Sequence, residues 1–247
     1  MEEKEDIGGR AYSNGIRLMS GSRSVKAYYN EEGNLKFTVN KVKRNKYAKY
    51  IKKIPVLRGI LVVLYSILVF LKEVIKNPLK YWFIFLILLL DFFLLYGGDG
   101  NTTAVNGIFL IIYILVPIGL ILFFRKNISE VLKYHGAEHM AVNYYENDFK
   151  GSIEDYSRIH KRCGSNLVFY FLLFQIIGAF FNFGINIILE YLLYLGLAYE
   201  AMTYTPDKLL PVVTIIQRFM TREPDEKQLK AAEAALKLLT ADESLFD

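Results

Sequence analysis

The sequence predicts an all-α polytopic membrane protein: two transmembrane helical hairpins plus an interfacial helix, with a small cytoplasmic β-hairpin region at the N-terminus and a C-terminal amphipathic helix. Three observations carry that expectation. Of 247 residues, 53% are hydrophobic and 15% aromatic, a balance that favours a bilayer. No Lys or Arg occurs between Lys80 and Arg125, nor between Cys163 and Lys208. Each of those gaps holds two long apolar runs separated by a turn, and basic residues collect on the cytoplasmic side of a membrane.

Residues 1–53 form a polar, basic N-terminal region. Within it, 25–29 and 35–39 alternate apolar and polar residues around Asn30-Glu31-Glu32-Gly33-Asn34, the pattern of a short hairpin. The acidic opening, Met1 to Asp6, has no basic n-region followed by an apolar core, so no cleaved signal is expected. The basic stretch 41–53 suits anionic headgroups, and membrane lipids rather than nucleic acid are the expected partner.

The membrane domain is expected over 54–204. Run 54–71 has Arg58 near its start and Lys72 after it, which argues for an interfacial helix rather than a crossing. Runs 81–96 and 105–124 make the first hairpin, and 167–181 with 185–204 make the second. Both lysine- and arginine-free turns then lie outside, giving a multi-pass protein of the cell membrane with both termini cytoplasmic. Asp91, Glu190 and Glu200 fall at apparent membrane depth, where ionisable groups are functional candidates. Beyond Pro206, the tail 205–247 ends in an amphipathic helix whose apolar face is Leu229, Ala232, Ala235, Leu236 and Leu239.

The chemistry concentrates in the loop 125–164. All three histidines lie there, as does the single cysteine. His135 and His139, four residues apart, share one helix face, and imidazole is the commonest transition-metal ligand. Glu138 stands beside that face as the expected general base, in the order H-x-x-E-H. Glu146 returns to the same face seven residues on. His160 and Cys163 follow a polar linker, so Glu146, His160 and Cys163 are candidates to complete the metal set. Zn2+ or another divalent transition metal is the expected cofactor. One cysteine excludes an intramolecular disulfide.

Several segments taken together resemble a known family. They are Lys133-Tyr134-His135-Gly136-Ala137-Glu138-His139, Ser157-Arg158-Ile159-His160-Lys161-Arg162-Cys163-Gly164, Leu197-Ala198-Tyr199-Glu200, and the tail from Gln217-Arg218 through Thr221-Arg222-Glu223-Pro224-Asp225. With the opening Gly8-Gly9-Arg10-Ala11, they resemble the YqhQ-like family of bacterial membrane proteins. The resemblance implies a metal-dependent activity. Lys161, Asn14 and Met19 depart from its pattern. The function expected is a membrane-embedded, metal-dependent hydrolase, a peptidase acting on a peptide or membrane-protein substrate at the cytoplasmic interface. The competing expectation is a non-enzymatic regulatory or assembly protein whose structural metal is closed by His135, His139, His160 and Cys163.

Overall fold

The computed structural model describes residues 5–42, 53–79, 81, 82–96, 103–181, 184 and 186–241. Four strands open the chain: β1 (Gly8–Tyr12), β2 (Gly15–Met19), β3 (Arg23–Tyr29) and β4 (Leu35–Lys41). They pair in sequence order as an antiparallel sheet, with Arg10 opposite Arg17, Arg17 opposite Lys26, and Lys26 opposite Thr38. The two-residue link Ser13-Asn14 joins β1 to β2. Side chains alternate across a strand, and here Ile16, Leu18, Val25 and Ala27 all point inward with no exposed surface.

Helices follow: α1 (Leu57–Lys76), α2 (Trp82–Tyr96), α3 (Thr103–Phe123), α4 (Arg125–Glu146), α5 (Gly164–Gly178), α6 (Ile187–Thr203), α7 (Leu210–Val213), α8 (Ile215–Met220) and α9 (Glu226–Thr240). Single 3-10 turns precede α5 and α7, at Ile153–Asp155 and Asp207–Leu209. The chain divides into two compact units: one comprises Met1–Leu61 with Ser129–Asp247, the other Val62–Ile128.

In the first unit the sheet, α4 and α9 share one core. Tyr134, Ala137, Met140 and Ala141 of α4 meet Ala231, Ala232, Ala235, Leu236 and Leu239 of α9 and the inner face of the sheet. The start of α9 is fixed by Gln228. Its Oε1 accepts from the Asp225 N–H at 3.0 Å, and its Nε2 donates to Glu130 at 3.0 Å. A second cluster joins Tyr170 of α5, Ala198 and Met202 of α6, and Val213 of α7. In the second unit α2 packs on α3, whose interior holds Pro117.

The expectation of an all-α, multi-pass membrane protein fails on two findings. The first is the four-stranded sheet. Alternating Ile16 and Leu18 around Arg17, and the turn before Gly15, form a strand pair in a region read as merely polar. The second is that, among the described residues, no helix is long and apolar enough to cross a membrane. Helices α2 and α5 are 15 residues each and α6 is 17. At about 1.5 Å per residue they reach roughly 23–26 Å, short of a core of about 30 Å. Helix α1 has 20 residues but carries Arg58, Lys72, Glu73 and Lys76. The multi-pass placement, with termini on the cytoplasmic side, falls with the spans. The Asp91 side chain and most of the basic stretch 41–53 lie outside the described residues.

Two of the carboxylates expected at membrane depth have polar partners. Glu190 accepts a hydrogen bond from the Tyr194 hydroxyl. Glu200 accepts from Arg58 Nε at 2.8 Å and from the Val56 N–H at 3.0 Å. Val56 has φ of 64°, rare for a β-branched residue; the Glu200 bond holds that conformation at the start of α1.

Candidate metal centre

The site is built on α4, which is buried nearly all round at its centre. From Gly136 to Val142 every residue is buried, because small residues there let neighbours approach on several sides. A Cβ at Gly136 would lie 2.1 Å from the Arg222 carbonyl oxygen. A Cβ at Gly9 of β1 would lie 2.8 Å from Glu138 Cγ. The segment after α8 crosses α4 at this point, and the Arg222 N–H donates to the Leu132 carbonyl at 3.0 Å.

These approaches orient the histidines. His135 Nδ1 donates to the Met220 carbonyl at 2.8 Å, and His139 Nδ1 donates to the Arg158 carbonyl at 2.8 Å. With both Nδ1–H groups tied to backbone oxygens, each ring keeps Nε2 as its lone-pair nitrogen, the arrangement that metal-binding histidines use. Gln217, fully buried, reinforces it. Its oxygen accepts from His139 Nδ1 at 2.9 Å and from the His160 N–H at 3.0 Å, while its nitrogen donates to the His160 carbonyl at 3.2 Å.

The turn after His160 delivers the cysteine. Cys163 N–H donates to the His160 carbonyl, and Asn166 Nδ2 bonds the carbonyls of His160 and Lys161. Cys163 Sγ then lies 3.6 Å from His135 Nε2. His135, His139 and Cys163 bring their donor atoms within 4.8 Å of one another. In a tetrahedral zinc site with Zn–N of about 2.0–2.1 Å and Zn–S of about 2.3 Å, the N···S edge is about 3.6 Å. The His135–Cys163 pair already has that separation, so the set fits a metal ion.

Burial sets the electrostatics. It holds the His135 ring below its ordinary pKa and, with His135 as a second cause, lowers His139 to about 3. Both rings are therefore neutral donors at physiological pH. Burial also raises the Cys163 thiol and pushes the Glu138 carboxyl up to about 8. Among the described residues nothing hydrogen-bonds the Glu138 carboxyl.

His160 and Glu146 take a different place. His160 Nε2 faces both Glu146 oxygens at 3.3 Å, and its Nδ1 accepts from the Arg162 N–H at 3.3 Å. Both ring nitrogens are thus engaged, and the ring centroid is 5.9 Å from that of His139. The Arg162 guanidinium joins Glu146 to Asp6. The His160 hydrogen bond, then the nearby cations, hold the Glu146 carboxyl below its usual range.

Residues that sequence reasoning gave no role support the centre. Gln217 and Met220 hold the rings. Arg158 ties the two supporting segments together through the Thr221 carbonyl at 2.7 Å and hydroxyl at 2.6 Å. Their signal in the sequence was only that they fall in or beside the two quoted segments, 157–164 and 217–225. A cleft of about 350 Å³ lined by Tyr144, Ser152, Glu154, Glu226, Lys230 and Glu233 shares no residue with the centre.

Comparison with known proteins places the whole chain. The "Uncharacterized protein YqhQ" of Bacillus subtilis (strain 168) is 24% identical over 305 residues, covering 97% of this chain and 94% of that protein. No solved structure matches. A family model described as "Protein of unknown function (DUF1385)" matches residues 34–242. That description carries no activity, so neither the hydrolase nor the metalloprotease label expected from the sequence follows from it, and the membrane label has already fallen with the spans. A match over so much of the sequence, His135, His139 and Cys163 included, makes the chain a member of the DUF1385 family.

Proposed function

We propose that this chain binds Zn2+ through His135 Nε2, His139 Nε2 and Cys163 Sγ, and that the centre is hydrolytic. The observation that supports the reading best is the pair of Nδ1–H bonds to the Met220 and Arg158 carbonyls, which leave two neutral Nε2 donors beside one sulfur. Imidazole and thiolate together are the donor set of zinc. Three protein ligands leave one position open, as catalytic zinc requires. Zn2+ held there supplies Lewis-acid polarisation of an attacking water or a scissile carbonyl. Glu138 follows as the general base of this reading: burial keeps its carboxyl protonated in the metal-free chain, and a bound Zn2+ would favour the ionised form that accepts the proton released. Gly9 lets β1 close over that carboxyl.

The test is metal content. Protein loaded with Zn2+ and dialysed is expected to carry one equivalent, and the H135A/H139A variant none. In the Co2+-loaded protein a thiolate charge-transfer band is expected that C163S abolishes. One equivalent retained in H135A/H139A would refute the site. A second reading, a structural metal closed by His160 as fourth ligand, is disfavoured by one observation. Both His160 nitrogens are already hydrogen-bonded, to Glu146 and Arg162. Counting protein ligands in a zinc-loaded structure separates the two readings: three for the open centre, four for the closed one.

A further inference from the structure

The outer face of the sheet carries an arrangement that the metal centre does not use. Alternation from the buried Ile16, Leu18, Val25 and Ala27 puts Arg10, Arg17 and Lys26 on the opposite face, in one cross-strand row. Thr38 is next in that row on β4, and Lys36, opposite Tyr28, shares the same face. Like charges directly opposite each other on neighbouring strands repel. Here two such pairs stand side by side, Arg10 with Arg17 and Arg17 with Lys26. None of the strand residues sharing that face is acidic.

The cations are also gathered rather than splayed. Arg10, Arg17 and Lys26 lie 5.5, 5.6 and 4.7 Å from the centroid of the single Tyr12 ring. Lys26 lies 4.6 Å from the Tyr28 ring as well. The tyrosine rings offset part of the repulsion by cation–π attraction, yet each ring holds its cations close to the next. Arg17 Nε is enclosed and has no hydrogen-bond partner. Among the described residues neither Arg10 nor Arg17 makes an ion pair. Guanidinium forks that converge in this way match the oxygens of a phosphate group, which accepts two parallel N–H bonds from each.

We propose that this face is a phosphate-binding site, with Arg10 and Arg17 as the paired donors, Lys26 as the third charge and Tyr12 as the ring that holds them together. The ligand is a phosphate-bearing anion, either a free small phosphate or the phosphate of a lipid headgroup. Because the ring faces are occupied by cations, the site reads charge and geometry rather than stacking a base. Binding neutralises the like-charge row and so stabilises the sheet.

The test uses the full chain, inorganic pyrophosphate by calorimetry, and phosphatidylcholine vesicles with and without phosphatidic acid by flotation. Wild-type protein is expected to bind at least one of the two phosphate sources, more weakly as salt rises. The R10Q/R17Q variant is expected to lose at least ten-fold in affinity. Binding of pyrophosphate assigns a free phosphate, and binding confined to phosphatidic acid vesicles assigns a headgroup. In anion-free buffer R10Q/R17Q is expected to melt at or above the wild-type temperature, because repulsion is relieved, and this also establishes that it folds. Absence of binding to either probe overturns the proposal. So does binding unchanged in R10Q/R17Q, including pyrophosphate drawn to a metal, or a melting temperature that falls in the anion-free variant.

Discussion

At the scale of single residues, the centre depends on groups that never touch a metal. Gln217 is the clearest. It is fully buried and satisfies three polar groups at once: His139 Nδ1 and the backbone N–H and carbonyl of His160. Replacing it by leucine keeps much of the volume and leaves the His160 N–H without a partner, while the His160 carbonyl keeps the Cys163 N–H and Asn166. Each buried polar group so orphaned costs about 1–3 kcal/mol. Groups that hydrogen-bond the free ring nitrogen of a ligating histidine also contribute about 10–100-fold in metal affinity. Gln217→Leu is therefore expected to lower both stability, by urea titration, and Zn2+ affinity, by competition with a chelating dye. Gln217→Glu retains the acceptor toward His139 and is expected to restore most of the affinity. A leucine variant with wild-type affinity would mean that His139 is held by Arg158 alone.

At the scale of elements, α4 acts as the central post, and its small residues are spacers. Gly136 admits the crossing segment that carries Met220 and Arg222. A methyl at that position would sit 2.1 Å from the Arg222 carbonyl oxygen, and a backbone oxygen cannot swing aside as a side chain can. Gly136→Ala is expected to displace that segment, free the His135 ring from the Met220 carbonyl and weaken Zn2+ binding. The near-ultraviolet dichroism of the core tyrosines should change little. Equal loss of binding and tyrosine signal would point to general unfolding instead. Helix α9 closes the same core from the other side through Leu236, which is 1% exposed. Leu236→Ala is expected to cost about 2–5 kcal/mol, measured by urea unfolding. The histidine pair on one helix face was legible from its spacing alone, because a 3.6-residue period fixes which side chains share a face. The supporting contacts were not, since Gln217 lies 78 positions from His139 and nothing local encodes that meeting. The roles of His160 and Glu146 were likewise undetermined by sequence. Glu146 was read as returning to the face of His139, whereas the 157–163 segment brings His160 and Arg162 onto it instead.

At the scale of the whole molecule, apolar composition misled where periodicity informed. Long uncharged runs resemble membrane spans, yet three of the four, α2, α5 and α6, end after 15, 15 and 17 residues. The apolar face of α9 was readable from Leu229 to Leu239 because its charges alternate with it. Among the carboxylates held by cations, Glu200 and Glu146 are partly buried with lowered pKa values, and both contribute to the response to acid. Arg58 hydrogen-bonds Glu200 and lowers its pKa; His160, with Arg162 beside it, does the same for Glu146. In each case the folded chain binds its proton at lower pH than the unfolded chain does. Both contributions are therefore fully present above the ordinary carboxylate pKa of about 4.3 and are lost as pH falls through the lower folded values. Arg58 and Glu200 are 21% and 14% exposed at the side chain, shielded enough for the bond to count. The E146Q/E200Q double variant is expected to be less stable than wild type at pH 7, and to converge with it as pH falls from about 5 to 3. Urea titrations across that range, followed by tyrosine dichroism, measure the gap between the two curves. Parallel curves would show that these pairs contribute no proton linkage and that other groups govern acid unfolding.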